Sequence, residues 1–169
     1  CSTNSVTPLI NWLALANLQL KLSLKFNNGS TGGSGKGNIL LGLSGATVQD
    51  FILDVSAAEV LTYINLPLPI KASGALSLVI KNASQGLPYC RQLDGYLIWQ
   101  NAKINSDMGN VDLGSADVNL RCEEGQINAS LEQESEQITS TINLLLKEGM
   151  RYQLQGQLKG SDKLDPAIK

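Results

Sequence analysis

The strongest constraint on the fold of this 169-residue chain is a series of segments in which apolar and polar residues alternate. In the last of them, 150–159, every even position is apolar or glycine and every odd position is polar or charged. A period of two is typical of a strand with one buried face and one wet face. Three similar segments precede it with short breaks between them, at Ser115–Cys122, Gln126–Glu132 and Gln137–Lys147. The sequence therefore predicts an antiparallel meander.

The N-terminal half adds further strands and one helix. Asn17–Phe26 alternates strictly, and Ile39–Leu43 and Thr47–Val55 flank a short turn. Between the first two lies NNGSTGGSGKGN, residues 27–38, where ordering so many glycines would cost much backbone entropy, which predicts a flexible hairpin loop. Ser56 followed by Glu59 forms a capping box, and this predicts one short helix over 57–64, ended by Pro67 and Pro69.

One short helix cannot cover the apolar faces of seven or eight strands, so these faces must cover one another. The sequence predicts a mainly β fold: a curved antiparallel sheet forming a half-barrel or groove, or else a sandwich. The segment 93–104, LDGYLIWQNAKI, is apolar on both faces and is predicted to be a central strand. The length predicts a single domain over 1–169.

Two internal cysteines are predicted to form a buried disulfide. Cys122 is in phase with Val118 and Leu120, which places it on the buried face of its strand. Cys90 also lies beside a strand-like segment. The alternative is a pair of unpaired structural thiols. A Cys90–Cys122 disulfide would indicate an oxidising compartment.

The composition excludes several functions. The net charge is −2 and the thirteen basic residues are scattered, so nucleic acid is not an expected partner. The chain has no histidine, which excludes histidine-dependent triads and most zinc sites. We predict no catalytic residue, metal or cofactor, and therefore no enzyme.

Three motifs resemble chemical sites and fail on spacing. Gly35-Lys36 lacks the P-loop pattern, because Ser30 stands where a glycine is required and Gly37 follows the lysine. A set of aspartates does not match an EF-hand loop, and a set of glutamates lies around a turn without the aromatic cleft of a glycosidase. These sets are Asp107, Asp112 and Asp117, and Glu132, Glu134 and Glu136. We interpret them as solvated turns.

No run reaches the ~18 apolar residues needed to cross a bilayer, and the longest candidate is residues 8–18. Cys1 with the polar residues after it is similar to the mature end of a bacterial lipoprotein, and an arbitrary start is the alternative.

An ordered series of segments resembles protein N of the bacterial type II secretion system. The series begins with LPLPIKASGALSL (66–78), LPYC (87–90) and LDGYLIWQNAKI, and continues with MGNVDLGSADVNLRC (108–122), RYQLQGQLK (151–159) and LDPAIK (164–169). The resemblance is good over 66–169 and looser over 15–59.

The resemblance implies an accessory structural component of that export machine, without enzymatic activity and with other components of the system as partners. It implies the periplasmic domain of a single-span inner-membrane protein, with the transmembrane anchor and the C-terminal end absent from these 169 residues. A second hypothesis is a periplasmic carrier of a lipid or other apolar ligand in the curl of the sheet, suggested by the surplus of Leu, Ile and Val on one face.

Overall fold

A computed structural model describes residues 20–28, 33–43, 45–63, 70–107 and 109–163. The predictions for Cys1, for the apolar run 8–18 and for the closing LDPAIK lie outside the described residues. In the described ranges the chain forms strands β1 (Leu20–Asn28), β2 (Gly33–Gly42), β3 (Gly45–Ser56), β4 (Lys71–Gln85), β5 (Cys90–Ser106), β6 (Gly109–Glu123), β7 (Gln126–Glu134), β8 (Ile138–Lys147) and β9 (Arg151–Gly160), and helix α1 (Ala57–Tyr63).

All nine strands form one antiparallel sheet, in which the order of the strands is their order along the chain. The sheet is not closed, since β1 pairs only with β2 and β9 only with β8. The predicted mainly β fold is confirmed, in the form of an open sheet and not of a sandwich. The segment predicted to be a central strand lies within β5, which is paired on both sides.

The connections between strands alternate between two ends of the sheet, because consecutive strands are antiparallel neighbours. One end carries the β2–β3, β4–β5, β6–β7 and β8–β9 connections and also the Cys90–Cys122 disulfide, so we call it the disulfide end. The opposite end carries α1 between β3 and β4, together with the β5–β6 and β7–β8 connections, and we call it the helix end.

Helix α1 agrees with the predicted capping box. The backbone N–H of Glu59 donates to the hydroxyl oxygen of Ser56 at 3.2 Å, which satisfies one of the unpaired donors of the first turn. Ala57 is buried and anchors the helix start against the sheet. The expectation that Pro67 and Pro69 end the helix falls outside the described residues.

The prediction of a flexible loop over 27–38 is wrong at 27–28, which end β1, and over 33–38, where β2 begins at Gly33 and pairs with both β1 and β3. Residues 29–32 lie outside the described residues. The glycines serve close packing. A Cβ atom placed on Gly37 would lie 2.7 Å from Cδ2 of Phe51, so a side chain at this position would collide with the aromatic ring. Here glycine lets a neighbouring ring approach the backbone, which a count of glycines cannot show.

Apolar side chains form a continuous surface on one face of the sheet, since residues paired across neighbouring antiparallel strands lie on the same face. One row of paired residues crosses six strands and consists entirely of aliphatic side chains: Leu53, Leu78, Leu97, Val118, Leu131 and Ile142. We call the face that carries this row the apolar face. The predicted one-sided alternation is thus combined across strands into a continuous surface.

A small buried cluster lies on the apolar face toward the helix end. Ala116, Gln133 and Ser140 are directly paired neighbours on three strands, and all are buried. The Gln133 amide nitrogen donates to the carbonyls of Leu113 at 2.7 Å and Ile138 at 3.0 Å, and its oxygen accepts from the Ser140 hydroxyl at 2.8 Å. The buried amide is therefore satisfied, as burial of a polar group requires.

Candidate interaction surface

The disulfide joins the start of β5 to the end of β6. Cys90 and Cys122 have Cα atoms 6.1 Å apart, and Cys90 is buried. Cys122 pairs with Ile127 of β7, on the apolar face. This is the face predicted for Cys122 from its phase with Val118 and Leu120.

The Gly86–Tyr89 loop, which connects β4 to β5, forms hydrogen bonds with the β6–β7 turn and the β8–β9 turn at the disulfide end. The backbone N–H groups of Tyr89 and Cys90 donate to the carbonyl of Gly125, at 3.0 and 3.3 Å. The hydroxyl of Tyr89 donates to the carbonyl of Lys147 and accepts from the backbone N–H of Met150, both at 2.9 Å. One side chain thus links the β4–β5 loop to the β8–β9 turn, beside the disulfide.

Gly125 is required for this arrangement. Its φ is +80°, a conformation that favours glycine, and a Cβ atom there would collide with the carbonyl oxygen of Leu87. The loop therefore packs against bare backbone of the β6–β7 turn. Next to it lies an open depression of 740 Å³, whose lining includes Leu43, Leu87 and both disulfide cysteines.

The apolar face is most exposed near the two edges of the sheet. On β1, Leu20 is 57% exposed and Leu24 44%. On β9, Tyr152 is 76% exposed and Leu158 65%. Large apolar side chains in contact with water are unfavourable when they form a contiguous surface, and such surfaces commonly mark binding sites.

Among the described residues, strand β9 has a paired strand on one side only. All ten residues of Arg151–Gly160 are exposed, and the register between β8 and β9 has no irregularity. An edge strand presents unpaired N–H and C=O groups that can accept another strand. It is the part of the sheet best suited to pairing with an extended segment of a partner.

One carboxylate has a clear electrostatic role near the helix end. The Asp112 carboxylate accepts from the backbone N–H of Gly114 at 2.9 Å and forms an ion pair with Lys103 at 3.2 Å. The hydrogen bond from Gly114, followed by that from Lys103, lowers the pKa of Asp112 below its usual value. The carboxylate is held as an anion on β6, opposite Lys103 of β5, so Asp112 lies on a strand and not in a turn.

The structure places the other motif residues on strands and turns. Lys36 is exposed on β2, so the Gly35-Lys36 pair does not lie in a loop around an anion. Glu132 and Glu134 are exposed on β7, and Glu136 in the following turn forms an ion pair with Lys163 at 2.7 Å.

Within the described ranges, no group of three or more Cys, Asp or Glu side chains is arranged to hold a metal ion. No helix in the described part of the chain is long and apolar enough to cross a membrane.

Sequence reasoning missed Tyr89 and Gln133. Tyr89 was given no role, and the available signal was an aromatic residue directly before Cys90. Gln133 was assigned to a break between strands, whereas it is the penultimate residue of β7 and points to the apolar face.

The described part of the chain defines an open, one-layer antiparallel β-sheet protein with exposed apolar side chains on one face and a disulfide-bonded end. Comparison with known families makes this specific. The chain belongs to the family of type II secretion system protein N, whose family model matches residues 2–169. The predicted resemblance is confirmed, and this is a family of secretion-system components and not a known family of enzymes.

Relatives named type II secretion system protein N occur in several bacteria. The Vibrio cholerae protein is 35% identical over 165 residues, covering 95% of this chain and 66% of the relative. The Aeromonas hydrophila protein is 32% identical over 174 residues, covering 99% and 68%. The Pectobacterium carotovorum protein is 25% identical over 161 residues, covering 95% and 64%. The chain thus spans about two thirds of the length of these relatives, and no solved structure matches it.

Proposed function

We propose that this chain is an accessory structural and interaction component of the type II secretion system, which works by contact with other components and not by catalysis. In this proposal it is the periplasmic domain of an inner-membrane protein with a single span, and the span belongs to a segment outside these 169 residues. Family membership supports the assignment to the system. The Cys90–Cys122 disulfide supports an oxidising compartment such as the periplasm.

The observation that carries a contact function is the β9 edge. Its ten residues are exposed, pair with β8 without irregularity and include no proline. The residues at odd positions are polar or charged. Proteins protect edges that should not pair by proline, bulges or inward charges. Since β9 has none of these along 152–158, we propose that it pairs with a strand of another secretion-system component.

Site-specific photocrosslinking in secreting cells tests this proposal. A photoreactive residue at Gln155, on β9, is compared with one at Asn119, on β6 in the interior of the sheet; both side chains are exposed. We expect Gln155 to capture a secretion-system component and Asn119 to capture none. Capture from neither position, or equal capture from both, would contradict a contact through the β9 edge.

A second candidate function is supported by a different observation, the exposed apolar face. In this proposal the face carries a lipid or other apolar ligand in the periplasm. Exposed leucines on β1 and exposed leucine and tyrosine side chains on β9 lie on this face, at the two edges of the sheet. An acyl chain bound there would replace water in contact with these side chains.

Native mass spectrometry of protein purified from envelopes tests the carrier proposal. Leu154 and Gln155 are exposed neighbours on β9 and lie on opposite faces. We expect a bound apolar ligand in the wild type and in Gln155→Lys, and its loss in Leu154→Lys, because a charge on the apolar face would have to be desolvated. Wild-type protein without a bound apolar ligand would contradict the carrier proposal.

A further inference from the structure

Exposed apolar side chains are concentrated on the turns at the disulfide end. Three of the four connections there carry a large one: Leu43 in the β2–β3 turn, 81% exposed, Leu87 in the β4–β5 loop, 93% exposed, and Met150 in the β8–β9 turn, 75% exposed. Turns normally present Gly, Pro, Asn, Asp or Ser to water. We call these three side chains the apolar tips.

The described turns at the helix end are different. The β5–β6 turn carries Asp107, and the β7–β8 turn consists of Ser135, Glu136 and Gln137. The exposed large side chain at this end is Tyr63 of α1, which has a hydroxyl group for water. Among the described residues, the two ends of the sheet therefore differ in polarity.

The apolar tips are held in place and not carried on loose loops. Tyr89 bonds the β4–β5 loop to the β8–β9 turn, and so joins the segments that carry Leu87 and Met150. Leu43 and Leu87 line the same depression next to the disulfide. Because the backbone of the β4–β5 loop and the β8–β9 turn is joined in this way, docking requires less ordering of these two segments.

Charges of both signs surround the apolar tips. Arg91 and Glu124 line the depression, and Glu148 and Arg151 flank Met150 with one residue or none between them. Such a mixture gives no strong attraction to a polyanion or a polycation. The free energy of docking at this end must come mainly from removing the apolar tips from water.

We propose that the disulfide end docks on a phospholipid bilayer, with the apolar tips entering the interface between headgroups and acyl chains. A protein partner would be favoured by one contiguous packed patch, whereas these tips are on separate turns. The described chain enters the sheet at Leu20, at the same end. In this respect the inference rests on the proposed function, since a membrane span ahead of these 169 residues would hold this end of the sheet near the bilayer.

Vesicle flotation with the purified chain tests the inference without any secretion component. The vesicles consist of phosphatidylethanolamine with a minor share of phosphatidylglycerol. We expect the wild type to float with them. The triple variant Leu43→Gln, Leu87→Gln, Met150→Asn should lose at least about tenfold in partition, since it removes the three large apolar side chains that would leave water on binding. Asn is chosen at position 150 because the φ of Met150 is +58°, a backbone conformation that Asn adopts more readily than most residues.

Two controls make the result specific. Tyr63→Gln removes an exposed aromatic side chain at the helix end and should leave flotation unchanged. Raising the salt concentration to about 0.5 M, which screens charges beyond a few ångströms, should change the partition little. Circular dichroism and melting of each variant establish that the sheet is intact.

Several results would overturn the inference: no flotation of the wild type, equal flotation of the triple variant, or an equal loss with Tyr63→Gln. Binding abolished by salt would assign the contact to charges. A different result would assign the apolar tips to a protein site and not to a membrane site. In that case the wild type does not float but binds a purified secretion component, and the triple variant no longer binds it. The crosslinking from Gln155 is independent of all these outcomes, so failure of the one does not imply failure of the other.

Discussion

Removal of the Cys90–Cys122 disulfide should destabilise the protein by an amount that can be worked out from the chain. The two cysteines are separated by 32 positions. The loop-entropy relation gives a constant term of ~0.6 kcal/mol and a logarithmic term of ~3.1 kcal/mol at room temperature, together about 3.7 kcal/mol. Because part of the denatured chain stays compact, this value is an upper estimate.

The double variant Cys90→Ala, Cys122→Ala measures this contribution by urea unfolding. For a chain of this length, each kcal/mol corresponds to ~2–4 °C in the melting temperature, so a loss of about 3 kcal/mol should lower it by roughly 6–12 °C. The hydrogen bonds of Tyr89 to Lys147 and Met150 remain in the variant. The fold should therefore persist with lower stability.

Cys1→Ser is the matched control, since it removes a cysteine that takes no part in the Cys90–Cys122 pair. Its stability should equal that of the wild type, and reductant should reproduce the double variant in the control background. In Cys90→Ser, the released Cys122 thiol should react with a maleimide. A double variant within about 1 kcal/mol of the wild type, or melting unaffected by reductant, would refute the loop-entropy reasoning.

Three other changes test the close contacts of the sheet. Gly37→Ala should cost about 1–3 kcal/mol in urea unfolding because its new methyl group meets an aromatic ring, whereas Gly33→Ala, with 3.8 Å of clearance, should cost less than about 1 kcal/mol. Tyr89→Phe should cost about 1–3 kcal/mol through two lost hydrogen bonds, and Tyr152→Phe, whose side chain is exposed, almost nothing in the same assay. Asp112 has a pKa lowered below 3.8, so its contribution to stability is present above that pH and is lost as the pH falls through the folded-state value; in Asp112→Asn, unfolding followed against pH should lack this acid-dependent part.

The sequence was most informative where one property repeats at short range. Alternation with a period of two predicts β6 to β9, because the order of apolar and polar residues within each strand shows which of its faces is apolar. The phase of Cys122 followed from the same local rule. The helix was equally local, since Ser56 and Glu59 are three residues apart.

What could not be predicted depends on contacts between distant segments. The choice between a sandwich and an open sheet is decided by whether two apolar faces meet, and no local pattern contains that information. The need for glycine at position 37 depends on Phe51 of the neighbouring strand, because the ring of Phe51 lies where a side chain of residue 37 would be. Tyr89 anchors its loop through Lys147 and Met150, about sixty positions away in the chain.

The arrangement of the apolar face also limits how either proposed partner could reach it. At the disulfide end the Gly86–Tyr89 loop is fixed across the ends of the central strands, and toward the helix end Ala116, Gln133 and Ser140 are already buried. Exposure rises instead along the long sides of the sheet, at β1 and β9. An apolar ligand or a partner strand should therefore approach from these sides, and since both would use β9, occupation by one should weaken the other. Addition of the ligand identified by mass spectrometry should then reduce crosslinking from Gln155, and unchanged crosslinking would place the two on different edges.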